Sequence, residues 1–106
     1  MSEHSYRLLF TPKAEEDLDE IYEYIFGVLS NATAADKLAD DIEKVVMQLI
    51  EYPFSGQYVL DEFLKTRGYR KVIVDNYLVF YLVNEAEKQV IIMRILFGAR
   101  KYQNVL

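Results

Sequence analysis

The chain has 106 residues, 52% hydrophobic and 27% charged, which fits one domain spanning residues 1–106 and excludes a disordered chain. It has no cysteine and one histidine, His4, which removes disulfides, thiolate metal sites and cysteine nucleophiles and leaves no basis for a Ser-His-Asp triad. The net charge of −5 argues against a general nucleic-acid binder, yet it is uneven: residues 1–53 hold four Lys/Arg against twelve Asp/Glu, and residues 54–106 hold eight against five.

In chain order, residues 6–10 form a short apolar, partly aromatic run that suits a first strand. Thr11 and Pro12 then read as a helix cap and first helical position, with Glu15, Glu16 and Asp17 at the positive end of the dipole. Leu18, Ile21, Tyr22, Ile25 and Leu29 recur at helical spacing, which predicts an amphipathic helix over 12–29 with an early stop at Gly27. Residues 30–33 read as a turn and cap. A second helix is predicted over 34–52, with the stripe Leu38, Ile42, Val45, Val46, Leu49 and Ile50, ended by Pro53. The short turn makes the pair an antiparallel hairpin.

Residues 53–68 are the least regular, with one helical turn around 61–65. Three β-branched and aromatic strands follow over 69–74, 77–83 and 90–97, and Asp75-Asn76 is a hairpin turn. The predicted order is βααβββ: an α+β fold with a helical hairpin packed on one face of a small antiparallel-rich sheet. No apolar run approaches the roughly 20 residues of a membrane span. The start MSEHSYR has no signal-peptide core, so a cytoplasmic protein is expected.

Chemistry must come from the cationic half. On its strand Arg94 shares a face with Ile92 and Leu96, so it either bonds an acidic helix residue or backbone carbonyls, or contacts a phosphate or charged partner. Arg70 and Lys71 open a strand on opposite faces. Arg100 and Lys101 follow Gly98, where they are either ordinary surface charge or a cationic tail facing a polyanion. Tyr77 and Tyr81 read first as packing, with base stacking or phosphate positioning as the alternative, and Tyr102 is the better exposed candidate. Asp17, Asp19, Glu20 and Glu23 read as a solvated helix face. No Gly-rich phosphate loop or metal-ligand spacing occurs, so no metal or cofactor is expected.

Taken in order, Ala14-Glu15-Glu16-Asp17-Leu18-Asp19-Glu20-Ile21, Tyr52-Pro53-Phe54-Ser55-Gly56, Gly68-Tyr69-Arg70-Lys71-Val72, Tyr77-Leu78-Val79-Phe80-Tyr81 and Arg94-Ile95-Leu96-Phe97-Gly98-Ala99-Arg100 resemble the RelE/ParE superfamily of bacterial type II toxin-antitoxin toxins. The resemblance implies a microbial-ribonuclease-like fold and a growth-inhibiting toxin of the plasmid-stabilisation type. It also implies a cognate antitoxin that folds a segment onto the toxin, in a toxin-antitoxin heterotetramer; the excess positive charge of the second half separately predicts an acidic or amphipathic partner, whose helix is expected in the groove between the helix pair and the sheet.

Two targets follow from the resemblance. RelE-like members are metal-independent endoribonucleases that cut mRNA on the ribosome; ParE-like members inhibit DNA gyrase without cleaving RNA. For the nuclease, Arg70 resembles the residue that holds phosphates and Arg100 the one that stabilises the transition state, while Tyr102 or Tyr81 would move a proton. Leu78 replaces the nuclease's central-strand arginine, and Leu106 falls near its terminal acid/base. The pattern leans to the ParE side, with binding assigned to Arg70, Lys71, Arg94, Arg100 and Lys101. A degenerate member that only pairs with its antitoxin is a third reading. All three place Arg70 and Arg100 on one outer patch.

Overall fold

The computed structural model describes residues 6–98. The elements are β1 (Arg7–Phe10), α1 (Pro12–Glu23) continued by a π-helical turn (Tyr24–Val28), α2 (Ala32–Glu51), β2 (Gln57–Tyr58), α3 (Glu62–Thr66), β3 (Arg70–Val74), β4 (Tyr77–Asn84) and β5 (Gln89–Phe97). They build one sheet in the order β1-β5-β4-β3-β2. Only β1 with β5 is parallel; the other three pairings are antiparallel. The α+β class and helical hairpin agree with the sequence reading. The sheet has one strand more than predicted, because β2 is two residues long and carries no readable alternation.

Local chemistry places both long helices. The Thr11 hydroxyl accepts from the Ala14 N–H at 3.0 Å, and Asn31 Oδ1 does the same for Ala34. Leu38, Ile42, Val46 and Leu49 of α2 are buried against Val79, Tyr81, Val90, Ile92 and Ile95 of the sheet. The π-helical turn is closed by the Leu29 N–H donating to the Tyr24 carbonyl at 3.0 Å. The wider turn slips the helical phase, so Leu29 does not join the core stripe as its spacing predicts; it is 54% exposed.

The opposite face of the sheet is also covered. Val59, Leu64 and Tyr69 pack on Phe80 and Leu96. The stretch that reads as least regular is therefore a lid on the second face. Asp61 caps α3 through Leu64 N–H, and Gly68, at φ +86°, turns the chain from α3 into β3.

β4 and β5 are out of simple register at one point. Phe80 faces Arg94 while Tyr81 faces Ile92, so Met93 is an extra residue on β5. Beyond this bulge the alternation is inverted: Ile92 packs in the helix-facing cluster and Leu96 in the other. The predicted common face for Ile92, Arg94 and Leu96 is thereby corrected. Helix α1 holds the bulge, because Thr11 Oγ1 donates to the Met93 carbonyl at 3.0 Å while its backbone N–H donates to Ile92 O at 3.1 Å. Thr11→Ala removes the cap and this tie together and is expected to cost about 1–2 kcal/mol, with Thr11→Ser restoring most of it; thermal melts of the three proteins decide.

Candidate functional site

Arg70 begins β3 directly opposite Tyr81 on β4. Both hold the loop 53–56. The Tyr81 hydroxyl donates to the Pro53 carbonyl and accepts from the Gly56 N–H, both at 2.8 Å. Arg70 Nη1 donates to the Gly56 carbonyl at 2.8 Å and to the Phe54 carbonyl at 3.3 Å. Its guanidinium lies 4.1 Å from the Tyr58 ring centroid and 5.1 Å from that of Phe54. Nε and Nη2 have no partner among the described residues. This is a planar cation fixed on one side and open on the other, suited to an anionic oxygen. Arg67, stacked 4.3 Å over Phe63, repeats the basic-aromatic pairing nearby in the chain.

Tyr81 is placed otherwise. It is fully buried and both hydrogen-bonding roles of its hydroxyl are used inside the chain. The packing alternative is the one the structure takes, and the side chain has no access to a substrate proton. Burial pushes its hydroxyl above the ordinary value of 10.0, against the lowering effects of the Gly56 N–H and Arg70. A tyrosine whose folded value lies above its unfolded one contributes stability in full below about pH 10, and loses it as pH rises through the folded value. Tyr81→Phe orphans the Pro53 carbonyl and Gly56 N–H and is expected to cost about 1–3 kcal/mol at pH 8. Denaturant melts from pH 8 upward should show the two proteins converging under alkaline conditions; a constant gap would contradict the assignment.

Arg94 does not reach a surface. Its Nε donates to Asp17 Oδ2 at 2.7 Å and its Nη2 to Oδ1 at 2.9 Å, with both residues buried. Asp17 Oδ2 also accepts the Ile95 N–H at 3.0 Å. Hydrogen bonding to Asp17 raises the Arg94 guanidinium above its ordinary value, so it stays charged. This is the acidic-helix alternative for Arg94, and its binding role is set aside. It corrects the reading of Asp17 as part of a solvated face: Asp17 is the counter-ion of a strand residue 77 positions away. Lys71 is half-buried beside β2, opposite Gln57 and Phe80. Arg100, Lys101 and Tyr102 lie outside the described residues, as does Leu106.

A groove of about 420 Å³ runs between α1 and the sheet. Asp17, Glu20, Ile21 and Tyr24 line it from the helical side; Tyr77, Ile95, Leu96 and Phe97 line it from the strands. The Tyr77 and Phe97 rings meet edge-to-face at 5.7 Å. Burial, then the proximity of Tyr24, holds the Tyr77 hydroxyl above its ordinary value. Glu20, Tyr24 and Phe97 are functional candidates that the sequence reading missed. The spacing 17, 20, 21, 24 marks one helix face, but its mixed polarity hides it from a hydrophobic-stripe search.

The chain was compared with known proteins. A family model described as ParE toxin of type II toxin-antitoxin system, parDE, matches residues 8–102. No curated protein matches the chain. Among solved structures, the chromosomal ParDE TA system from P. aeruginosa is 26% identical, with a TM-score of 0.71, covering 90% of this chain and 98% of its own. The RelBE2 toxin-antitoxin complex from Mycobacterium tuberculosis is 20% identical, with a TM-score of 0.60 and coverages of 88% and 98%. The YoeB/ParE toxin from Agrobacterium tumefaciens is 18% identical, with a TM-score of 0.60 and coverages of 86% and 96%. The last two share the fold.

Proposed function

The chain belongs to the ParE toxin family of type II toxin-antitoxin systems, and from that premise we propose that it arrests growth by binding DNA gyrase, in the cytoplasm, without cleaving RNA. The observation that carries this reading is the locked hydroxyl of Tyr81. Tyr81 lies beside Arg70, the candidate phosphate contact, and this tyrosine, which the nuclease reading would use, is buried and bonded at both lone-pair and proton. Leu78, where the nuclease pattern has an arginine, is half-buried against the second core cluster. The described sheet therefore offers Arg70 as a binding group whose β4 neighbour, Tyr81, is not free to act as an acid or base. Arg100, Lys101 and Tyr102, outside the described residues, are proposed as further binding residues on the resemblance alone.

The open Nε and Nη2 of Arg70 favour one competing reading, a RelE-like nuclease in which Arg70 and Arg100 neutralise phosphate charge and Tyr102 moves the proton. The purified protein is expected to inhibit supercoiling by gyrase and to leave mRNA intact on translating ribosomes. Codon-positioned cleavage lost in Arg100→Ala would replace the gyrase reading with the nuclease one. Inactivity in both assays would leave antitoxin pairing alone.

The antitoxin is proposed to lay a helix along the α1–sheet groove, as part of a toxin-antitoxin heterotetramer. Exposed Tyr24, Phe26, Val28 and Leu29 extend apolar surface from the groove around the hairpin tip, more than a solitary small domain needs to display. Co-expression with each neighbouring small open reading frame should restore growth with one of them; none doing so would remove the antitoxin.

A further inference from the structure

Among the described residues the groove has one carboxylate outside any hydrogen bond or ion pair, although it lies in the field of the buried Arg94. Glu16 pairs with Lys13, and Asp17 is consumed by Arg94. Glu20 lines the groove, is exposed, and has no hydrogen bond or ion pair among the described residues. Around it stand three aromatic rings: Tyr24 and Phe97, each about half exposed, and Tyr77. A carboxylate beside aromatic faces attracts a cation, because ring quadrupole and carboxylate act in the same direction. An anion or a plain apolar side chain would leave Glu20 desolvated and unpaired. The volume suits one long side chain.

We infer that the groove takes an arginine or lysine side chain of the antitoxin, with Glu20 as its counter-ion and Tyr24, Tyr77 and Phe97 as its walls. This deepens the toxin-antitoxin reading and rests on it. It also revises the expectation of an acidic partner: the antitoxin must be basic where it meets α1, and its acidic groups belong opposite the cationic half of the chain.

The test uses the full chain and the neighbouring gene product that restores growth. Calorimetric binding should weaken about tenfold in Glu20→Gln and further in Glu20→Arg, while Asp19→Asn, outside the groove, stays within about twofold of the parent. One Arg/Lys→Glu change on the partner should restore binding to Glu20→Arg. Unchanged binding by Glu20→Arg overturns the inference and leaves the toxin-antitoxin reading intact.

If no neighbouring product binds the unmodified chain, the toxin-antitoxin reading fails and the assignment to an antitoxin falls with it. The groove's cation preference is then read separately, by titrating labelled protein with N-acetyl-arginine amide and its neutral citrulline counterpart. NMR shifts at Glu20, Tyr24, Tyr77 and Phe97 with arginine alone support a cation site. Equal shifts, or none, remove it. Tighter arginine binding in an Arg100→Ala/Lys101→Ala double variant would give the groove to the chain's own tail instead of a partner.

Discussion

Asp17→Ala should be among the most damaging single substitutions in this chain, at about 3–5 kcal/mol. Three donors converge on that carboxylate: Arg94 Nε, Arg94 Nη2 and the Ile95 N–H. Removing it leaves a guanidinium and a backbone amide buried without their acceptor, and the desolvation cost of each is no longer offset. For a domain of this size the loss corresponds to a fall in melting temperature of roughly 15–30 °C, large enough to abolish soluble expression at 37 °C. Arg94→Met in the Asp17→Ala background should recover part of the loss, since the buried guanidinium that lost its carboxylate is gone while the orphaned Ile95 N–H remains. A double-mutant cycle by denaturant melts measures the coupling; additive losses would show that the pair does not act as a unit.

Gly56→Ala is the second. A methyl built on Gly56 would overlap the Tyr81 hydroxyl, lie 2.7 Å from the Tyr81 ring and 2.8 Å from the Lys71 carbonyl. The ring is fully buried and the carbonyl belongs to a paired strand, so neither neighbour can retreat cheaply. Overpacking of this kind costs about 1–3 kcal/mol, and the displaced hydroxyl would also release the Pro53 carbonyl. Combining Gly56→Ala with Tyr81→Phe should cost less than the sum of the two, because they break the same clamp. A Gly56→Ala protein that melts with the parent would mean that the loop moves freely. The same clamp sets the stage for Arg70, whose Nη1 bonds Gly56 O, so the variant should also weaken target inhibition beyond its effect on folded fraction.

The motif Tyr52-Pro53-Phe54-Ser55-Gly56 shows how far a sequence can be read. Its ordered company points to the family, and Pro53 correctly ends α2. Its use as the loop gripped by Tyr81 and Arg70 is invisible in one dimension, because the gripping groups lie 14 to 28 positions downstream. Arg94 is similar. An isolated cation in an apolar strand announces a buried pair, and an acidic helix residue is the natural partner. Which acid it takes depends on the packing of α1 against β5.

Although the second helix begins two residues earlier than predicted and the first runs through Gly27 instead of stopping there, sequence alone determined the existence of two long helices, the Thr11 cap, the three long C-terminal strands and the family. Those follow from backbone periodicity and local hydrogen bonding, which act within about ten residues. Tertiary structure decided what each charged side chain is for. One extra residue at Met93 reverses which face every later side chain on β5 presents, and the approach of α1 then turns Asp17 inward and leaves Glu20 facing the groove. Such pairings depend on register and helix docking, and neither quantity is written in any short stretch of the chain.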